Sequence, residues 1–369
     1  MWYVLAVRNA KKEILVYMLV GINYPWIDYG WDFGDPPPAW VGDENLPAWR
    51  ETKRKQIEED FSQFAAQGIF AVRWFLLADG INYGMGQFAP QKTDENWTFD
   101  PLLAGHPFYS QLCDDFEFVM QVCRKNDLQF FPSLIDFHWC HQGTAIEGSP
   151  CIVRGGRHDI IRDPVKRRAF FERVLDPLLD SSAQYRDSIY AWELINEPEW
   201  VVRSMSPGGE EDGNRNVSQE EMMEFITEGI RRINMKRLPD GRGAFQSSVG
   251  FAHWESLNEW DSENLGITLH QFHYYAQENC DLPLHPHSEN HPCIVGEFAT
   301  AAGCDWPDLK NRHKDQTVTN RLCCVEDKGY PACFLWSARA IDLATQWTRG
   351  EHQEIVAYNS SNRFDGLRG

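Results

Sequence analysis

Ala191-Trp192-Glu193-Leu194-Ile195-Asn196-Glu197-Pro198 closes an apolar run that begins at residue 188, and it ends on an amide and a carboxyl side by side before proline stops it. Proline has no N–H for a ladder, so an apolar run halted this way reads as a short strand with polar groups at its C-terminal end. Seven further runs share its length and its β-rich, two-sided apolar character: 15–22, 69–76, 128–135, 244–250, 266–272, 292–298 and 331–336. Strands that are apolar on both faces belong to parallel sheets covered on both sides.

Amphipathic stretches separate these runs. They span 47–67, halted by Gly68; 107–126; 163–185, opened by Asp163-Pro164; 219–237, where Ser218 and Glu221 have capping-box spacing; and 312–328, halted by Gly329. Eight strands alternating with helices predict an α/β (β/α)8 TIM barrel. The competing doubly wound open sheet lacks its glycine fingerprint after the first run. Two crossovers are poor: 251–265 holds room for a short helix, and 277–291, with Pro283 and Pro286, for barely any. No repeat or low-complexity linker divides the chain, so residues 1–369 read as a single catalytic domain. Its long loops follow strands one (24–46), two (79–101) and four, the last around Ser206-Pro207-Gly208-Gly209.

Composition narrows the function classes. Asp and Glu outnumber Lys and Arg by 54 to 35, a formal charge of −19, which repels polyphosphate and argues against a nucleic-acid partner. The apolar run Ile14 to Val20 is too short to span a bilayer and lacks a cleavage site, so no membrane partner is expected. Ten scattered cysteines without regular spacing read as reduced thiols, which places the chain in the cytoplasm. Aromatic residues are abundant, with 15 Trp, 12 Tyr and 22 Phe. Several, Tyr24, Trp26, Tyr29, Trp31 and Trp40, fall in a stretch that reads as loop, as if offered to a flat ligand such as the C–H face of a sugar ring.

In a barrel of this kind the chemistry sits at the C-terminal strand ends. The fourth run delivers Asn196 and Glu197 there, and the seventh, Ile294-Val295-Gly296-Glu297-Phe298, delivers Glu297. Two carboxyls at one mouth match glycosidic hydrolysis, in which one carboxylic acid protonates the leaving oxygen while an ionised partner attacks the anomeric carbon.

Asn196-Glu197-Pro198 and Gly296-Glu297-Phe298 resemble glycoside hydrolase clan A, most closely family 5, and other strand ends extend the resemblance over nearly the whole barrel. It implies a retaining β-glycosidase acting on β-linked glucose or mannose, as in β-glucans and mannans. Glu197 is then the acid/base, Glu297 the nucleophile, and Asn196 the partner of the sugar 2-hydroxyl. Arg73, in Val72-Arg73-Trp74, resembles the arginine that holds the nucleophile, and His138 the strand-three histidine of the pocket. His273-Tyr274-Tyr275 resembles the His-x-Tyr segment, with Tyr275 donating to Glu297. Trp336 resembles the tryptophan under the sugar beside the scissile bond. Just past the strand ends, Trp139 and Trp200 are the foremost further substrate contacts, ahead of Trp26, Trp31 and Trp254.

This scheme needs no cofactor and no metal. Two rival readings are a metal-dependent barrel hydrolase built on His138 and His141, His270 and His273, and Asp136, and a non-catalytic carbohydrate-binding barrel. Against the first, His270 lies inside its run and strand one offers no His-x-His. Against the second stands the presence of both glutamates.

Overall fold

The computed structural model describes residues 6–8, 14–16, 18–24, 41–78, 80, 108–146, 149–203, 216–238, 241–243, 245–275, 282–285, 292–299, 317–338 and 349–365. Eight strands form one parallel sheet: β1 (Leu19–Asn23), β2 (Ala71–Phe75), β3 (Gln129–Asp136), β4 (Trp192–Asn196), β5 (Ser247–Gly250), β6 (His270–Tyr274), β7 (Cys293–Ala299) and β8 (Ala332–Trp336). Neighbours in the chain are neighbours in the sheet, β8 pairs with β1, and a parallel bridge between Phe251 and Phe272 joins β5 to β6. The sheet is thereby a closed (β/α)8 barrel.

Helices cover the outside, the first six along the expected stretches: α1 (Leu46–Ala66), α2 (Phe108–Lys125), α3 (Pro164–Phe170), α4 (Asp176–Ser182), α5 (Gln219–Met235) and α6 (Val318–Asp327), followed by α7 (Arg349–Asp365). Asp163 caps α3 by accepting from the N–H groups of Val165 and Lys166, with Pro164 in the first turn. The Ser218 and Glu221 capping box is formed in full at the start of α5. The stretch expected as one helix over 163–185 is divided, because a π segment, Phe171–Leu175, lies between α3 and α4. Pro177, with no N–H to return to the preceding turn, sits just beyond it. The crossover at 251–265 holds only Ser256–Glu259 in α-helix.

Strand boundaries depart from the sequence reading in several places: β5 starts at Ser247 rather than 244, and β6 covers His270–Tyr274 rather than 266–272. Ile14–Val16 leaves the first run to pair antiparallel with Ala6–Arg8, so β1 starts at Leu19. Ala183–Ser188 forms a 3-10 turn, so β4 starts at Trp192. Helix α7 was not foreseen; it is polar along most of its length and anchors through buried Ile355 and Tyr358, whose hydroxyl donates to Glu326 at 2.9 Å. Residues 25–40, 81–107 and 204–215, the bulk of the three long loops, lie outside the described residues, as do Trp26, Tyr29, Trp31 and Trp40. Among the described residues no helix is long and apolar enough to cross a membrane. Cys324 is disulfide-bonded, which corrects the expectation of reduced thiols at that position, while Cys113, Cys123, Cys140, Cys293, Cys323 and Cys333 are free.

The barrel interior is layered. Ala71, Phe131, Ala191, Leu269, Ile294 and Phe334 fill its lower half as one apolar cluster. Side chains two residues further along a strand face the same side, one layer higher. Those positions are Arg73, Ser133, Glu193, Gln271, Gly296 and Trp336, so the upper layer is polar. Two bulges then break the alternation. On β4 the register moves from Glu193 opposite Ser248 to Asn196 opposite Gly250, and on β7 from Val295 opposite Phe272 to Glu297 opposite His273. Each inserts one extra residue and re-aims the next polar side chain inward. Gly296 is tied to this arrangement, because a Cβ there would lie 1.9 Å from the side-chain oxygen of Gln271.

Gln271 is pinned by its hydrogen bonds to Glu193 and Ser248 and cannot yield freely. Gly296→Ala is therefore expected to destabilise the fold by about 1–3 kcal/mol, read as a lowered urea midpoint with unchanged slope.

Candidate active site

Above the apolar plug, Arg73 occupies the centre of the barrel with its side chain fully buried. A guanidinium carries five N–H donors, and all five are engaged. Nε donates to Glu193 Oε2 at 2.7 Å and Nη2 to Glu193 Oε1 at 2.7 Å. Nη1 donates to Asn23 Oδ1 at 2.8 Å and to Glu297 Oε1 at 2.7 Å, and the second Nη2 hydrogen goes to Asn196 Oδ1 at 2.6 Å. Burial alone pulls Arg73 toward neutrality, but the carboxylates of Glu193 and Glu297 outweigh it and hold the cation above the ordinary arginine value. Gly250 leaves room for this cluster, since a Cβ there would meet Glu193, Arg73 and Asn196 at 3.0–3.1 Å.

Glu297 is held from both sides: its second oxygen accepts from the Tyr275 hydroxyl at 2.5 Å. Burial and Glu297 itself drive the Tyr275 hydroxyl well above its usual value, so it stays a donor. For Glu297 burial is the largest influence and leaves the carboxyl above its ordinary value, with the Glu197 charge adding to the rise and Arg73 and the Tyr275 hydrogen bond opposing it. Two donors, one permanently charged, aimed at separate oxygens are the arrangement that keeps a buried carboxylate ionised.

Glu197 meets a different environment. It follows β4 in a left-handed conformation, φ 45° and ψ 55°, with its N–H on the Gly250 carbonyl at 2.6 Å. Its Oε2 accepts from the Trp200 indole at 3.0 Å and its Oε1 lies 2.6 Å from His273 Nδ1. No permanent cation touches it in these contacts. Burial, reinforced by the Asp136 charge, pushes Glu197 up to about 7. His273 is buried and pushed down to about 4, so at neutral pH it is an uncharged bridge, its Nδ1 also 3.4 Å from Glu297 Oε2.

Asp136, at the end of β3, orients two of the sequence candidates. One oxygen accepts from Asn196 Nδ2 at 2.8 Å, and the other takes the His138 backbone N–H at 2.9 Å and pairs with that residue's ring nitrogen. Burial alone would raise Asp136, but His138 and Asn196 outweigh it and hold it below the usual carboxylate value. Asn196 thus spends its oxygen on Arg73 and one amide hydrogen on Asp136, leaving the other hydrogen for a ligand. His138 is partly exposed and stacks on Phe137 at 4.1 Å.

The structure brings Arg73, Asn196, Glu197, His273, Tyr275 and Glu297 into one cluster, held by hydrogen bonds and by the 3.4 Å approach of His273 to Glu297. Trp200 joins it through Glu197 and keeps 37% of its surface exposed, its ring edge-on to His253. Trp336 stands at the end of β8, partly exposed, beside Phe75 at 6.4 Å. Trp139 does not fit its expected place as a foremost ligand contact. It is fully buried, donates to the Leu77 carbonyl at 3.1 Å and packs on Phe170, because the turn after β3 folds it under the barrel rim. Tyr24, read as a loop ring, is likewise buried against Phe61, Phe64 and Trp74, with its hydroxyl on Asp60. Trp254 is 41% exposed.

Sequence reasoning passed over Glu193, Asn23, Ser133 and Gln271. Their signal was present: a carboxylate in the middle of an apolar two-sided strand demands a buried partner. The metal reading does not survive in its expected form, since His270 Nδ1 turns to Ser262 at 3.0 Å, outside the site. Among the described residues, the one group able to offer three metal-ligating atoms is Glu197, His273 and Glu297, whose atoms lie within 4.8 Å of one another. A cation there would displace donors already in place, because the four carboxylate oxygens face Arg73, Tyr275, Trp200 and His273.

No protein-family model matches the sequence, and no curated protein matches it. Solved structures do. A β-mannanase from the blue mussel Mytilus edulis is similar with a TM-score of 0.62 and 15% identity, covering 96% of this chain and 97% of that one. An endo-1,4-β-mannanase from Eisenia fetida has a TM-score of 0.59 and 16% identity, covering 92% and 90%. An exo-β-1,4-mannosidase from Opitutaceae bacterium strain TAV5 has a TM-score of 0.55 and 14% identity, covering 100% of this chain and 63% of that one. At such identities the likeness is one of fold.

Replacing Arg73 by Leu leaves Glu193 and Glu297 buried without their cation. The expected cost is about 3–5 kcal/mol, measured as a drop in unfolding free energy by urea titration at pH 7.

Proposed function

We propose that this chain is a retaining β-glycoside hydrolase of the clan A, family 5 type, acting on β-1,4-linked glycans of mannose or glucose, mannans first. The carrying observation is the pair Glu197 and Glu297: two carboxyls at the C-terminal mouth of the barrel, Glu297 buried and Glu197 partly exposed, an oxygen of each within 4.8 Å, with Glu297 alone of the two in contact with the Arg73 cation. Retaining enzymes hold their carboxyls about 5–5.5 Å apart, while inverting ones need about 6.5–9.5 Å to admit a water. The choice of mannan rests on the β-mannanase and β-mannosidase structures that share the fold.

The reaction follows from the two environments. Glu297, anchored by Arg73 and Tyr275, attacks the anomeric carbon as the glycosidic C–O bond breaks, and the leaving oxygen takes the proton of Glu197. The resulting ester is then opened by water, whose proton returns to Glu197 while Glu297 leaves as carboxylate. The remaining Asn196 amide hydrogen is placed for the sugar 2-hydroxyl, a contact that strengthens as charge develops. Trp336 supplies an apolar face for the ring at the site of cleavage, and Trp200 and His138 flank it.

Proton NMR of the sugar first released from a β-mannoside tests the reading. The β-anomer is expected before mutarotation, and the α-anomer as first product overturns it. Glu197→Ala is expected to slow turnover about 10²–10⁴-fold on substrates with poor leaving groups, and far less on aryl glycosides that depart without protonation. Glu197 must be protonated to act, so kcat/KM falls tenfold per unit as pH rises through about 7.

A further inference from the structure

Glu193 is the third carboxylate of the site, and the reaction as described makes no use of it. Its side chain has no exposed surface and accepts four hydrogen bonds. Two come from Arg73 at 2.7 Å each, one from Ser133 Oγ at 2.6 Å on Oε1, and one from Gln271 Nε2 at 2.6 Å on Oε2. With every contact a donor, both oxygens are acceptors and the group is the anion. Arg73 therefore shares one positive charge between two carboxylates, bidentate on Glu193 and single on Glu297.

We propose that Glu193 is a positioning residue that governs the reactivity of Glu297 through Arg73: by taking the larger share of the guanidinium, it keeps Arg73 from holding Glu297 too tightly. The argument rests on the glycosidase reading above and on charge balance within it. Glu297 loses its charge as its oxygen bonds to the anomeric carbon, and regains it when water opens the ester. A stronger pull from Arg73 stabilises the free carboxylate more than the transition state of attack, which slows attack. The same pull makes Glu297 a better leaving group, which speeds opening of the ester. Glu193 thus trades one step against the other, whereas a group that merely supports the fold would impair both.

The probe is 2-deoxy-2-fluoro-β-mannosyl fluoride, with its glucosyl counterpart alongside. Glu297 attacks C1, the C1–F bond breaks, fluoride departs, and the fluorosugar ester accumulates. Trapping and reactivation rates are followed separately, and peptide mass spectrometry locates the label. For Glu193→Gln the trapping rate is expected to fall about tenfold and the reactivation rate to rise, since removal of one neighbouring charge shifts a carboxylate by about a unit or more. The double variant Glu193→Gln with Gln271→Glu returns a carboxylate to the same cavity and should move both rates back toward wild type. Ser133→Ala removes one donor from Glu193, tightens its hold on Arg73 and should act in the reverse sense, by about two- to threefold given a single neutral hydrogen bond. This small buried change keeps the test open if Glu193→Gln fails to fold.

Label on Glu297 in wild type with both rates unchanged, or both lowered, in the variants that fold overturns the proposal alone. Absence of label on Glu297 in wild type overturns the glycosidase reading and the proposal with it.

Discussion

A guanidinium buried at the centre of a barrel must satisfy five N–H groups and one charge without water, and Arg73 satisfies all of them with side chains from β1, β4 and β7. The rest of the site is arranged around that demand. Asn23 accepts from Arg73 and spends its own amide on the carbonyls of Gly296, Phe334 and Leu335, tying β1 to β7 and β8. Glu193 and Gln271 complete a polar layer that is held entirely from within. A network in which Arg73 has every donor engaged in a low-dielectric interior is rigid, and rigidity is what a site that must hold two carboxyls in fixed relation requires.

The layering explains how such a network coexists with a stable barrel. The lower half is an apolar plug of Phe131, Phe334, Leu269 and Ile294, and the polar layer begins one pleat above it. Uniform alternation would turn Asn196 away from the interior and put Glu297 on the outward side with Val295. The bulges on β4 and β7 prevent that, at the cost of ladder regularity over two short stretches. Stability is thus concentrated at the bottom of the barrel and chemistry at the top.

Within the mouth, the two glutamates differ through their neighbours. Glu297 is buried and Glu197 partly so, and loss of solvent raises both. Glu297 alone touches Arg73; Glu197 receives an indole N–H and an uncharged histidine, with the Asp136 anion nearby. Unequal tuning of a carboxyl pair, with a cation on one member only, sets an acid apart from an anion in one cavity.

What the chain determined by itself was the sequence of strands and helices and the polar residues standing at strand ends. Apolar runs buried on both faces leave little ambiguity about a parallel barrel, and Asn196, Glu197 and Glu297 were legible because such runs rarely end on polar groups by accident, whereas Arg73, His273 and Tyr275 were singled out by the resemblance to glycoside hydrolase clan A. The first run was misread at Ile14–Val16, and α7 was missed, because local periodicity is silent about which partner a segment meets. The exposure of an aromatic ring is equally non-local: Trp139 and Trp200 both follow a strand end, yet one is sealed under the rim and the other opens to solvent. Glu193 lay in plain view within Trp192-Glu193-Leu194, but a buried charge acquires meaning only from its counter-charge, which here comes from 120 residues away. Tertiary structure alone decided that pairing, and the bulges that aim Glu297 at Arg73, because both depend on register between strands rather than on the order of residues within one.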